Sequence, residues 1–141
     1  MLLKVDTSSS IPVYSQIVNQ IKHAIASGIL RSGEFLPSLR DTARDLRINP
    51  HTVAKAYREL EILGLVRTDH GRGTCVTADG VQLSKERRHE QLRRLAEQLI
   101  VEGYHLGATP EEIIEAVGAG LTELLPEFEV RDVARRDKDN E

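Results

Sequence analysis

Tryptophan is absent from this chain of 141 residues, and all aromatic side chains together make up only 4% of it. A core without large rings has to be built from Leu, Ile, Val and Ala, which suits packed helices with a little sheet. There is a single cysteine, Cys75. No internal disulfide can form, and a reducing, cytoplasmic home is expected. No apolar run approaches the ~20 residues that a membrane-crossing helix needs. The opening residues MLLKVDTSSS lack the basic start, apolar centre and small-residue cleavage site of a secretory signal.

Catalytic and metal-binding patterns are missing as well. His89 and His105 lie among glutamates, but their spacing makes no recognised ligand set such as HExxH. No nucleophile–base arrangement or phosphate loop is present, so neither an enzyme nor a cofactor or metal is expected. Overall basic excess is lacking too, with a formal net charge of −3. The distribution is uneven, however. Residues 1–83 carry 10 basic against 8 acidic side chains, and residues 84–141 carry 9 against 14. The positive half also holds the most informative pattern.

Apolar residues recur at helical spacing as Val13, Ile17, Ile21 and Ile25. The spacing predicts a first helix with Pro12 in its first turn, Ser10 as a nearby cap and Gly28 as its stop. Ile29–Leu36 reads as a loop with room for one short strand. Ser38 is the expected N-cap of a second helix, with Asp41 as a weak capping-box partner and Leu39, Ala43 and Leu46 inward. Ile48 packs in the turn that follows. Asn49-Pro50 restarts a helix, with an N-cap and a proline at its first position. That third helix runs to about Leu63, with Val53, Ala56, Tyr57, Leu60 and Leu63 inward and Gly64 as its stop. Leu65–Thr68 and Thr74–Thr77 are strand-like, and the glycines between them suit a tight hairpin in which Cys75 is a small buried residue.

Helix, tight turn, helix and glycine-tipped hairpin is a layout that places one helix in a DNA major groove, with a loop beside it. The first turns of the third helix offer Asn49, His51, Thr52 and Lys55 on the face opposite the core. Histidine can donate to a guanine edge, threonine can touch a thymine methyl or a phosphate, and lysine suits a guanine or a phosphate. Asn49 serves either as a cap or as a DNA contact. Arg40 stands in the first turn of the preceding helix and is long enough to reach a base edge. Gly71 and Gly73 let the hairpin backbone approach phosphates closely, with Arg72 at the tip.

These stretches carry a resemblance. IPVYSQIVNQIKHAIASGIL, GEFLPSLRDTARDL, NPHTVAKAYRELEILGLV and HGRGTCV, all within residues 11–77, resemble the winged helix-turn-helix domain of the GntR family of bacterial transcription regulators. The resemblance implies DNA contacts at Arg40, Asn49, His51, Thr52, Lys55, Gly71, Arg72 and Gly73. Some branches carry an arginine where this chain has Pro50, so their base preference does not transfer.

After a link around Ala78-Asp79-Gly80, a charged helix is expected from about Ser84 to His105, with Leu92, Leu95, Ala96, Leu99 and Ile100 on one stripe. Gly107-Ala108 breaks it. Thr109-Pro110-Glu111-Glu112 is a capping box that opens a last helix, ending at Pro126. Residues 127–141 are mostly charged and expected to be disordered. About 42 residues from Ser84 to Leu125 are too few to enclose a drug-sized pocket alone. Two copies make a four-helix arrangement, which favours a homodimer through these helices. Gly118 and Gly120 either allow close helix packing or merely loosen the helix.

The expected architecture is mainly α with a small β-hairpin. A winged helix-turn-helix covers residues 1–78, a two-helix dimerisation module 79–126 and a charged tail 127–141. The short two-helix end resembles the YtrA subfamily, which implies regulation of a nearby transporter operon. The expected function is a repressor bound as a homodimer to a palindromic double-stranded DNA operator. Alternatives are a regulator with a small-molecule effector pocket between protomers, or a winged helix that docks a protein. A piece of an aminotransferase-like regulator is disfavoured by the chain's own charged tail.

Overall fold

The computed structural model describes residues 3–77 and 83–125. The expected link at 78–80, Pro126 and the charged tail at 127–141 lie outside the described residues. Contacts divide the chain into two compact units, Met1–Gln82 and Leu83–Glu141.

The first unit holds three helices and a hairpin: α1 Val13–Ala26, α2 Leu39–Leu46, α3 Pro50–Ile62, β1 Val66–Asp69 and β2 Gly73–Val76. Ile17 and Ile21 of α1, Val53 and Leu60 of α3, and Val76 of β2 are its largest fully buried side chains. Aliphatic residues thus form the core, and the half-buried Leu3, Val5, Leu46, Ile48 and Leu63 pack around it.

Helix α1 starts one residue later than the proline pattern implies. Pro12 is the boundary residue at φ −55 and ψ 142, and no side chain caps the helix. Ser10 therefore does not cap it. The turn before α1 is held by Ser9, whose Oγ accepts from the Ile11 amide, and by Gln16, whose Nε2 donates to the carbonyls of Asp6 and Ile11. Gln20, one turn on, exchanges bonds with the backbone of Lys4. These two glutamines fasten an extended amino-terminal segment along α1.

Helix α2 follows Ser38, whose hydroxyl accepts from the Asp41 amide. Asp41 pairs with Arg44 at 3.3 Å. Leu39 departs from expectation and is 39% exposed, while Thr42 is buried at 3%. The reason lies on α3. The Tyr57 hydroxyl reaches across to Thr42 Oγ1 at 3.0 Å and donates to the Pro37 carbonyl at 2.8 Å, so a hydroxyl is accommodated inside and α2 turns its 42–43–46 face inward.

The strands pair antiparallel in the register Val66↔Val76, Arg67↔Cys75, Thr68↔Thr74 and Asp69↔Gly73. A third segment joins them. Phe35 bridges Cys75, the Leu36 amide donates to Thr74 and the Val76 amide donates to Glu34, so β2 has partners on both edges. This is the short strand for which the sequence left room.

The second unit consists of α4 Lys85–His105 and α5 Pro110–Leu124. Ser84 caps α4 through the Arg87 amide, and Thr109 caps α5 through the Glu112 amide. Gly107, at φ 76, turns the chain between them. Close helix contact is made at Gly103, where an added Cβ would come within 2.8 Å of Ile113 Cδ1. An added Cβ at Gly118 or Gly120 meets nothing within 4 Å. Leu92, Leu95, Leu99, Ile100, Ile114, Val117, Leu121 and Leu124 remain between 40% and 72% exposed.

Candidate nucleic-acid interface

The amino-terminal end of α3 is built for presentation. Asn49 Oδ1 accepts from the His51 amide at 2.9 Å, and Pro50 takes a position where its missing N–H is not needed. The cap therefore occupies the Asn49 carbonyl oxygen, and its NH2 donor group has no partner among the described residues. Val53, Ala56, Tyr57 and Leu60 are buried on one side of the helix. His51, Lys55 and Arg58 follow at intervals of four and three residues, which places them on one exposed stripe. Thr52 is half-buried beside that stripe.

Lys55 is not simply solvated. Its Nζ lies 3.9 Å from the centroid of the Tyr14 ring on α1, a cation–π contact. Such a contact stabilises by about 0.5–1 kcal/mol at an exposed site and holds the ammonium along the helix flank. Arg58 was not among the residues singled out in the sequence. It is exposed, has no ion-pair partner among the described residues, and its seven-residue offset from His51 was the available signal.

Arg40 is exposed in the first turn of α2, which is fastened to α3 by the bonds from Tyr57. Burial pushes the Tyr57 phenol above its ordinary pKa. In the hairpin, Gly71 at φ 85 and Gly73 at φ 114 adopt the backbone that glycine favours, and Arg72 between them is exposed. The Arg72 amide closes the turn on the Asp69 carbonyl at 2.9 Å. All eight residues singled out from the sequence thus lie on α2, on α3 or its Asn49 cap, or at the hairpin tip of one unit. Thr52 alone is not exposed.

Among the described residues, no cluster of three or more His, Cys, Asp or Glu is arranged to hold a metal ion. No helix among them is long and apolar enough to cross a membrane. Every buried side-chain polar atom among them has a partner. A concavity of about 880 Å³ opens in the first unit, bordered by Leu3, Ile21, Ala24, Ile29, Leu30 and Phe35, with Asn19 and His23 as polar neighbours.

The model of bacterial regulatory proteins of the gntR family matches residues 13–76. The HTH-type transcriptional repressor YtrA of Bacillus subtilis (strain 168) is 35% identical over 114 residues, which are 81% of this chain and 88% of that protein. That alignment is longer than the first unit, so the likeness continues into the two-helix unit. Among solved structures, a transcriptional antiterminator from Listeria monocytogenes EGD-e superposes with a TM-score of 0.75 at 31% identity, covering 89% of this chain and 93% of that one. YtrA from Sulfolobus acidocaldarius, a GntR-family transcription factor, gives 0.54 at 32% identity, covering 69% of this chain and 99% of that one. A winged helix with a polar third-helix stripe, followed by two further helices, therefore has a place among known proteins: the chain belongs to the gntR family of bacterial regulatory proteins, as a DNA-binding transcription regulator of YtrA type and not an enzyme.

Proposed function

We propose that the protein is a cytoplasmic homodimeric repressor that occupies a twofold-symmetric operator and blocks polymerase, with a transporter operon as its target. The observation that carries this is the exposed apolar face of α4 and α5. Nine Leu, Ile and Val side chains of these two helices stand at least 40% open. Fully burying a wholly exposed side chain of this kind stabilises by about 1.5–3 kcal/mol, and covering several half-open ones recovers a part of that at each, which favours a second copy over them. Pairing two copies makes two readers related by a twofold axis, which matches a palindromic site.

In each reader, Arg40 and His51 take base edges, while Asn49 offers its NH2 group to a base or phosphate. Thr52 and Lys55 meet the groove wall and its phosphates. Gly71, Arg72 and Gly73 bring the hairpin backbone and one cation to the neighbouring strand. The name of the Bacillus relative, a repressor, supports the sign of regulation. Duplexes selected from a random pool should share an inverted repeat and carry two chains each by sedimentation. A consensus without symmetry, bound by a single chain, would overturn the dimeric operator model.

A second reading, a regulator with a small-molecule effector, is favoured by the concavity of about 880 Å³ beside Phe35. Its size falls in the range of roughly 300–1,000 Å³ common for ligand sites. It lies within the first unit, whereas the sequence placed any effector pocket between protomers. Thermal-shift screening against a metabolite panel tests it, and a uniformly flat response would weigh against it.

A further inference from the structure

Arg47 closes α2 in the left-handed conformation, at φ 56 and ψ 47. Among the described residues it is the only non-glycine with positive φ. Its amide donates to the Arg44 carbonyl at 3.2 Å, and the Ile48 amide donates to the Ala43 carbonyl at 3.0 Å. Together these are the two closing bonds of a Schellman turn, whose left-handed position usually goes to glycine because a Cβ there crowds the backbone. The same chain uses glycine at the left-handed positions that follow three of its other four described helices, Gly28 after α1, Gly64 after α3 and Gly107 after α4. At α2 it places an arginine where glycine would form the turn with less strain.

Among the described residues, no side-chain contact of Arg47 offsets that strain. Arg47 is exposed, and among the described residues its side chain makes no ion pair, whereas the neighbouring Arg44 is held by Asp41 and Asp45. The residue cannot be explained by packing, because Ile48 is the member of the turn that reaches the core. Asn49, the cap of α3, is two residues further on, at most about 7 Å of chain. Arg47 is therefore an exposed cation, unpaired among the described residues, on the turn that leads into the end of α3 carrying Asn49 and His51.

We propose that Arg47 is a DNA-backbone contact. Its guanidinium grips a phosphate flanking the groove that α3 enters, and the left-handed turn is kept as an arginine for that contact. Guanidinium geometry matches phosphate bidentately, and a contact of this kind anchors the reader without selecting sequence. The assignment rests on the DNA-binding role of the first unit.

Arg47→Gly separates the turn from the charge. The variant should melt at a higher temperature than the wild type, because the backbone strain is gone. Fluorescence anisotropy would follow binding of the full chain to a duplex selected by the wild type and to its scrambled counterpart, between 50 and 200 mM salt. The variant should bind both duplexes more weakly by the same factor, and its slope of log K against log salt should be shallower by about 0.9 per protomer. Arg47→Lys should restore most of the slope. An unchanged slope in Arg47→Gly overturns the assignment, whatever the melting temperature does. Failure of the wild type to bind any duplex is a separate outcome, and it would overturn the DNA reading itself.

Discussion

Tyr57 donates its phenolic proton to the carbonyl oxygen of Pro37 across 20 residues of sequence, at 2.8 Å. The bond ties the middle of α3 to the residue just before the Ser38 cap of α2, and Thr42 shares the same hydroxyl at 3.0 Å. The angle between the two helices of the reader is thus fixed by one oxygen atom as well as by apolar packing.

Removing that oxygen should be destabilising. Tyr57→Phe leaves the Thr42 hydroxyl and the Pro37 carbonyl without this partner, for a loss of about 1–3 kcal/mol. Urea denaturation at neutral pH checks the value. Thr42→Val should cost less, because Tyr57 keeps its bond to Pro37.

The same phenol gives an alkaline signature. Its pKa is raised in the folded state by burial, above the ordinary value of 10.0. The folded protein therefore holds this proton more tightly than the unfolded chain. Its stability contribution is complete below the unfolded value and declines as pH rises from about 10 through the raised value. Tyr57→Phe should show a smaller alkaline loss in denaturation midpoint than the wild type, and equal losses would refute the assignment.

Arg40 is expected to read a base and Lys55 a phosphate, and two variants distinguish these roles. Arg40→Ala should lower the ratio of specific to random binding by about 1–3 kcal/mol in discrimination. Lys55→Ala should weaken both kinds of duplex equally and reduce the salt slope by about 0.9 per protomer. An unchanged ratio in the first variant, or an unchanged slope in the second, counts against the residue concerned.

The apolar face of the second unit predicts an assembly defect. Leu121→Asp puts a charge on the exposed face of α5. Sedimentation should shift from two chains to one, with helical content retained by circular dichroism. Affinity for a symmetric site should then fall towards that for a half-site. A dimer that persists would place the pairing surface elsewhere.

The features that could be read in advance are those governed by neighbours in sequence. Ser38, Asn49 and Thr109 cap the helices that follow them, because a cap needs only a side-chain oxygen and an amide two or three residues on. Gly28, Gly64 and Gly107 follow helices for equally local reasons. Residues whose surroundings come from elsewhere were harder to read. Leu39 looks like a core residue and Thr42 like a surface one until Tyr57 is brought beside Thr42. Phe35 joins the sheet only because Cys75 arrives next to it. Gly103, not Gly118 or Gly120, is the glycine that admits a neighbouring helix, since Ile113 decides which one is crowded. At the site, the polar stripe of α3 was visible from periodicity, whereas the Tyr14 ring under Lys55 and the backbone of Arg47 were not.

Gln16 and Gln20 treat the amino-terminal segment as though it were an edge strand. Each side-chain carboxamide accepts from one backbone amide, Asp6 and Lys4 respectively, and donates to a carbonyl of the same residue. The amides of Lys4 and Asp6 should therefore exchange with deuterium far more slowly than exposed amides that lack such a partner, at a rate set by release of the segment from α1. Trimming the first six residues would strip Leu3 and Val5 from the core. Any pull on that segment is passed by the two carboxamides to α1, the helix packed against α3.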